Sequence, residues 1–144
     1  MVRGAEPKAE SGDQAQRIAL AESVLGHSFA DKELGLRALT HPSAVEQRDP
    51  GAYYERLEFL GDSIVGFVIA EELYSRFPLM DEGGLTRIRV SVVSRSALGR
   101  VAADLGLAEA IVVGQSERGT GGRGLKSALG NMYEALVAAL YLDG

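Results

Sequence analysis

The chain has 144 residues, of which 46% are hydrophobic, and a formal net charge of -5 at pH 7. Its length predicts one domain with its own hydrophobic core. Cysteine is absent and the two histidines are His27 and His41, which excludes disulfides and Cys-ligated metal sites and argues against a His-rich one. Because no apolar run is long enough for a membrane helix or a signal sequence, we expect a soluble, cytoplasmic protein without membrane contacts.

Helical periodicity runs through almost the whole sequence and predicts an all-α fold. Residues 1–14 are polar and aperiodic, so we predict a mobile N-terminal tail followed by a single domain over 15–144. The predicted helices cover 15–25, 31–40, 53–76, 86–93, 96–105 and 126–142. Gly26 and Gly106 should end the helices that precede them, and 114–124 should be a glycine-rich loop. The only strand-like run, 111–113, is too short to build a sheet.

Three carboxylates stand close together in YERLEFLGDS, residues 54–63. At about 100° per residue, Glu55, Glu58 and Asp62 fall on one stripe of the third predicted helix. The opposite arc is apolar and should face the core; it consists of Leu57, Leu60, Ile64, Phe67 and Val68. Carboxylates at this spacing repel one another and add nothing to helix stability. A solvated acidic surface and a functional site are equally good interpretations of this helix taken alone.

The last predicted helix carries a second pair of oxygen-bearing side chains. Asn131 and Glu134 share one side, away from a predicted buried arc made of Leu129, Met132, Tyr133, Leu136 and Leu140. Ala135 and Ala138 are small enough for another helix to approach closely. If the two helices pack side by side, their oxygens converge with no Lys or Arg in the same stripes. Such a site favours a hard divalent cation, most plausibly Mg²⁺ or Mn²⁺.

The charge is unevenly distributed along the chain. Residues 83–126 contain seven basic and three acidic side chains, a net charge of +4 inside an acidic protein. A solvated helix face would give the same pattern, so charge alone does not establish nucleic-acid binding.

The segment ERLEFLGDS, residues 55–63, resembles the signature of the ribonuclease III endonuclease domain. Four further segments are similar to parts of that domain in the same order: LGHSFADKELGLRALTHPS, FPLMDEGGLTRIRVSVVS, GGRGLKSAL and EALVAALYLDG. The resemblance covers residues 16–144 and implies the family's helical fold and a homodimer. It also implies hydrolysis of both strands of double-stranded RNA with Mg²⁺, or Mn²⁺ in its place, giving 5′-phosphate and 3′-hydroxyl ends.

Matching positions carry the family's site residues over to this chain. The implied site residues are Glu55, Glu58, Asp62, Glu82, Asn131 and Glu134. Glu58, Asp62 and Glu134 match metal ligands, and Asn131 stands at a fourth ligand position. The same resemblance implies that Glu55, Asp62, Glu82 and Glu134 are catalytic, with Glu55 and Glu82 matching acidic residues that support cleavage around the metal.

The resemblance also implies two contact surfaces. Phe59 matches an aromatic side chain that enters a cavity of the partner subunit, although it could instead pack under its own loop at 45–52. Arg87, Arg89, Arg123 and Lys126 are expected to meet RNA phosphates, with recognition of A-form shape rather than sequence.

Two departures from the family pattern affect these expectations. The family normally has Asp where this chain has Asn131, and a neutral amide should lower metal affinity and activity. The family usually continues into a double-stranded-RNA-binding domain, which this sequence does not contain, so we expect a low affinity for RNA.

Other interpretations remain. A double-stranded-RNA-binding or scaffold protein could keep this fold and lose catalysis through Asn131. GTGGRG, residues 119–124, matches a dinucleotide-binding pattern, but the strand that should precede it is missing, so no nucleotide cofactor is expected. His41 could be proposed as a general base, although a His-Pro pair at a helix end favours a capping role.

Overall fold

The computed structural model describes residues 8–46, 49–114 and 122–144, with residues 8–11 and 122–124 described by their backbone only. Its helices are α1 (Lys8–Leu25), α2 (Lys32–Leu39), α3 (Glu55–Arg76), α4 (Glu82–Val92), α5 (Arg95–Asp104) and α6 (Gly122–Asp143). Two short 3-10 turns, Pro42–Ala44 and Leu107–Glu109, connect them. The predicted all-α class is confirmed for the described residues.

The described residues contain one isolated parallel bridge and no extended strand. It pairs Thr40 with Val112, and the backbone N–H of His41 donates to the Val112 carbonyl at 2.8 Å. The strand-like run at 111–113 therefore ties the segment before α3 to the segment before α6, without forming a sheet.

Side-chain caps decide where three of the helices begin. Asp31, Asp81 and Ser94 each accept a hydrogen bond from a backbone N–H in the first turn of α2, α4 and α5, which satisfies a donor that the helix leaves unpaired. Asp81 therefore starts α4 at Glu82, four residues before the predicted start at residue 86. Gly26 follows α1 with φ 65°, as predicted for a C-terminal glycine.

The first helix is longer than predicted. It begins at Lys8, so residues 8–14 of the predicted mobile tail are helical; residues 1–7 lie outside the described residues. An ion pair between Arg17 and Asp13, 2.8 Å long at i and i+4 spacing, supports this extension. The Arg17 guanidinium also donates to the carbonyls of Glu109 and Ile111 at 2.8 and 2.6 Å, which fastens α1 to the segment before the final loop.

Helix α6 runs through the centre of the core, with α3 and α5 packed on it. The largest fully buried side chains are Leu39, Leu107, Met132 and Leu136. Each contributes about 1.5–3 kcal/mol through removal of apolar surface from water. Leu129 is buried too, so the buried arc predicted for this helix is confirmed for Leu129, Met132 and Leu136, while Tyr133 and Leu140 are half-buried.

The apolar arc predicted for α3 is only partly buried. Leu57 is buried and Leu60 and Ile64 pack against the core, but Phe67 and Val68 are 68% and 53% exposed. These two side chains lie on a face of α3 that no other described element covers. The prediction that they face the core is therefore wrong, because periodicity locates an apolar face without saying what covers it.

None of the helices in the described part of the chain combines the length and the hydrophobicity needed to cross a membrane.

Candidate active site

An acidic cleft of about 630 Å³ lies between α3, α6 and the start of α5. It is lined by Glu55, Glu58, Phe59, Asp62, Val93, Arg95, Asn131 and Glu134. The structure thus brings together the acidic stripe of α3 and the polar pair of α6. Four carboxylates, one amide and one arginine therefore line the same cleft.

The two acid-bearing helices meet through backbone atoms at Gly61. A Cβ added there would lie 1.8 Å from the carbonyl oxygen of Glu134, so no other residue fits without separation of the helices. This contact places Asp62, the next residue along α3, beside Glu134. Sequence reasoning did not assign a role to Gly61; its position between two acid-bearing turns, opposite the small Ala135 and Ala138, was the available signal.

Glu134 lies deeper than the sequence predicts. It is 9% exposed, whereas we expected all the oxygen-bearing side chains to sit away from the core. Burial, followed by repulsion from Asp62 and Glu58, raises the pKa of Glu134 from 4.5 to about 7. Burial also raises the pKa of the half-buried Glu58, against the opposing effect of Arg95.

Arg95 is the cationic side chain of this cleft and was not assigned to it from the sequence. It is the first residue of α5, and its charge lowers the pKa of both Glu58 and Glu134. A Cβ on Gly130 would lie 2.5 Å from the Arg95 carbonyl, so α5 and α6 also meet backbone to backbone. The only signal in the sequence was an arginine that follows the helix-capping Ser94. That signal does not reveal that the arginine lines the acidic cleft.

Asn131 contacts the buried residue that precedes α3. Tyr54 is 2% exposed, and burial raises its pKa to about 12 even though hydrogen bonding with the Asn131 side chain acts in the opposite direction. The His41 ring packs edge-on against Tyr54 at 5.8 Å between centroids. The side chain of Asn131, which lines the cleft, therefore has the buried Tyr54 phenol as a hydrogen-bonding partner.

The chemistry of the cleft fits a divalent cation, although its side chains are spread apart. Within the described ranges, no group of three or more His, Cys, Asp or Glu side chains is already arranged to hold a metal ion. The donors are nonetheless hard oxygens, and burial, together with repulsion between the carboxylates, raises the pKa of Glu58 and of Glu134. A divalent cation is the ligand that such donors prefer, and the side chains would have to close around it.

The model of the ribonuclease-III-like family matches residues 31–144, which include all the helices that form the cleft. The chain belongs to this ribonuclease-III-like family. Curated relatives named Ribonuclease 3 include those of Colwellia psychrerythraea, 50% identical over 88% of this chain, and Psychrobacter arcticus, 41% identical over 92%. These alignments cover 46% and 49% of the two relatives, so the chain spans about half the length of the curated relatives it matches.

Solved ribonuclease III structures show the same fold. Two structures of the nuclease domain of ribonuclease III from Campylobacter jejuni superpose with TM-scores of 0.81 and 0.79 at 33% identity. Each covers 88% of this chain, and the chain covers 86% and 84% of theirs. The first is described as showing flexibility in a region involved in dimer formation.

Within this ribonuclease-III-like fold, Phe59 is a large apolar side chain of the cleft that is 80% exposed. It therefore does not pack under its own loop. It also borders a second cavity of about 530 Å³, which is lined by Pro50, Leu57, Leu60 and Leu142 among others. An exposed aromatic beside an apolar cavity is typical of a contact surface.

The remaining predicted site residues lie outside the acidic cleft of this ribonuclease-III-like domain. Glu82 lines a separate cavity of about 260 Å³ between α3 and α4, together with Arg89. Arg87 and Arg89 are exposed on α4, and Lys126 is exposed near the start of α6. The side chain of Arg123 lies outside the described residues, as do residues 119–121 of the GTGGRG segment.

His41 caps the first 3-10 turn. Its Nδ1 accepts a hydrogen bond from the backbone N–H of Ser43 at 3.0 Å and lies 2.7 Å from the Ser43 hydroxyl. His41 does not line the acidic cleft, so its position agrees with the capping role rather than with a general base.

Proposed function

We propose that this protein is a metal-dependent endoribonuclease that hydrolyses phosphodiester bonds of double-stranded RNA and leaves 5′-phosphate and 3′-hydroxyl ends. The observation that carries the proposal is the acidic cleft, which the three carboxylates Glu58, Asp62 and Glu134 line together in a member of the ribonuclease-III-like family. The names of the curated relatives support the same reaction.

Glu58, Asp62, Asn131 and Glu134 would hold Mg²⁺, with Mn²⁺ as a substitute. When bound, the cation supplies activation of water at neutral pH and stabilisation of the charge that develops on the phosphate oxygens. With a pKa of about 7, Glu134 must lose its proton before it can act as a ligand. Asn131 contributes a neutral oxygen, so we expect weaker cation binding than a fourth carboxylate would give.

The other residues of the cleft orient the substrate. Arg95 faces the carboxylates and can donate to the phosphate group that they would otherwise repel. Glu55 is exposed where it lines the cleft, and we assign it a role in supporting cleavage from the resemblance. Glu82 is too far from this cleft to line it, so we assign it a supporting role from the resemblance alone.

The RNA partner and the assembly state belong to the same proposal. Exposed Arg87, Arg89 and Lys126 provide positive charge for phosphates. The exposed Phe59 and Phe67 favour a two-fold symmetric dimer. A non-catalytic RNA scaffold is less well supported, because the three carboxylates of the implied metal site are all present.

The proposal is tested by incubation of the purified protein with a long duplex RNA in Mg²⁺, in Mn²⁺ and in EDTA. We expect metal-dependent cleavage to short duplexes with 5′-phosphate ends, and no cleavage of either strand supplied alone. Glu134→Gln, which keeps the shape of the side chain and removes its charge, should be inactive. Tight duplex binding without cleavage in either metal would favour the scaffold instead.

A further inference from the structure

A basic cavity of about 400 Å³ lies beside the acidic cleft, between α5 and the beginning of α6. Its lining includes the cations Arg95, Arg100 and Lys126 and the hydroxyl-bearing Ser96 and Ser127. No Asp or Glu from the described part of the chain lines it. Its charged side chains are therefore all positive, whereas those of the neighbouring cleft are mainly negative, and the rest of its wall is largely apolar.

Arg95 belongs to both spaces. It lines the acidic cleft with Glu58 and Glu134, and it lines the basic cavity with Arg100 and Lys126. The two cavities are thus neighbours that share one side chain. A strand that crosses from one cavity to the other would pass Arg95.

Among the described residues, no salt bridge is made to the cations of the basic cavity. In the part of the chain that the structure describes, the ion pairs are made by Arg17, His27, Lys32 and Arg76, so none of the three cavity cations has a carboxylate within salt-bridge distance. Three positive groups around one cavity repel one another unless an anion lies between them. Two arginines and a lysine match a phosphate group, since guanidinium binds phosphate oxygens through paired hydrogen bonds.

Backbone contacts hold this cavity in a fixed relation to the acidic cleft. A Cβ on Gly99 would lie 2.5 Å from the carbonyl oxygen of Lys126, and one on Gly130 would lie 2.5 Å from that of Arg95. Both walls of the cavity are therefore locked together at the level of the main chain. Asn131, which lines the acidic cleft, follows Gly130 directly.

We propose that the basic cavity is a phosphate subsite, which binds a backbone phosphate of the RNA strand where that strand leaves the acidic cleft past Arg95. The inference rests on the proposed function, because it takes the RNA as substrate. It assigns a phosphate-binding role to Arg100, which the sequence analysis did not connect with RNA. It also gives Lys126 a specific location on the path of the RNA strand.

The experiment measures the affinity of a duplex RNA in EDTA as a function of salt concentration. Binding to phosphates releases counterions, so Arg100→Ala and Lys126→Ala should each flatten the slope of log K against log salt by about one, and the double variant by about two. Arg100→Lys should keep most of the slope because the charge is retained. Arg76→Ala on α3 removes an exposed arginine that is already paired with Glu72, so it controls for the loss of a surface charge outside the cavity, and its slope should equal that of the unmodified protein.

Two sources of phosphate are separated by the choice of duplex. A backbone phosphate predicts the same loss of slope for duplexes that carry 5′-phosphate or 5′-hydroxyl ends. A loss of slope confined to the 5′-phosphorylated duplex would overturn the proposal in favour of a site for strand ends. The proposal would also be overturned if inorganic phosphate competed with the duplex in the unmodified protein but not in Arg100→Ala, and if Arg100→Ala bound the duplex as tightly as the unmodified protein.

The failure of this inference differs from the failure of the proposed function. If the unmodified protein cleaves duplex RNA but the Arg100 and Lys126 variants keep its salt slope, the subsite is wrong and the function stands. If the unmodified protein neither binds nor cleaves duplex RNA, both are wrong. Circular dichroism of each variant should match that of the unmodified protein, since Arg100 and Lys126 are exposed.

Discussion

Replacement of Glu134 by Gln should make the metal-free protein more stable at alkaline pH. Burial and neighbouring carboxylates raise the pKa of Glu134 from 4.5 to about 7 in the folded chain, so the folded state holds this proton more tightly than the unfolded state. The resulting stabilisation is complete below the unfolded pKa and is lost as the pH rises through the folded value. The full difference corresponds to about 3 kcal/mol, at about 1.4 kcal/mol for each pKa unit.

The assay is urea unfolding followed by circular dichroism in EDTA, near pH 5 and near pH 8. Because glutamine does not titrate, the free energy of unfolding of Glu134→Gln relative to the unmodified protein should rise by roughly 2–3 kcal/mol between the two pH values. Glu71→Gln, at an exposed position of the same helix α3, is the matched control and should show no such change. Mg²⁺ should stabilise the unmodified protein near pH 8 and have much less effect on Glu134→Gln.

Parallel pH profiles for the unmodified protein and Glu134→Gln would refute this reasoning. They would mean that the buried carboxylate is already compensated, and that the repulsion attributed to Asp62 and Glu58 is absent. A Mg²⁺ effect that survives in Glu134→Gln would remove Glu134 from the proposed metal site.

Three further changes test the geometry of the cleft. Gly61→Ala should lower the free energy of unfolding in urea by several kcal/mol and abolish cleavage, because its Cβ would lie 1.8 Å from a carbonyl oxygen. At Gly66, on the same helix, an added Cβ would have no atom within 4 Å, so Gly66→Ala should raise the free energy of unfolding by about 0.5–1 kcal/mol. Asn131→Asp should tighten Mg²⁺ binding and raise the cleavage rate, and an unchanged metal dependence would show that position 131 is not a ligand. Phe59→Ala should weaken the free energy of dimerisation by about 2–4 kcal/mol, which analytical ultracentrifugation would detect as a shift from dimer toward monomer. An unaltered dissociation constant would exclude a role of Phe59 in assembly.

The acidic cleft was accessible from sequence because helical geometry fixes which residues share a stripe. Positions 55, 58 and 62 must project together from α3, as positions 131 and 134 must from α6. The spacing of the polar side chains was therefore sufficient to predict that α3 and α6 form the two walls of the cleft. It did not give the depth of Glu134, which depends on how closely the two helices approach at Gly61.

The features that sequence reasoning missed depend on contacts between distant segments. Arg95 reaches the cleft because its own carbonyl packs on Gly130, a contact that periodicity within one helix cannot reveal. Phe67 and Val68 continue the apolar pattern of α3, yet the described chain leaves them exposed. A hydrophobic stripe looks the same whether it is covered by the same chain or by another molecule.

The glycine contacts also limit how this cleft can move. At Gly61, Gly99 and Gly130 the neighbouring helices touch through main-chain atoms, and no side chain stands between them whose rotation could widen or narrow the gap. The walls of the cleft should therefore behave as one rigid frame on the timescale of side-chain motion. Adjustment to an RNA strand would then come from the long carboxylate and guanidinium side chains that project from that frame. A distant substitution in the core would have to displace a whole helix before it could alter the spacing of the acidic side chains.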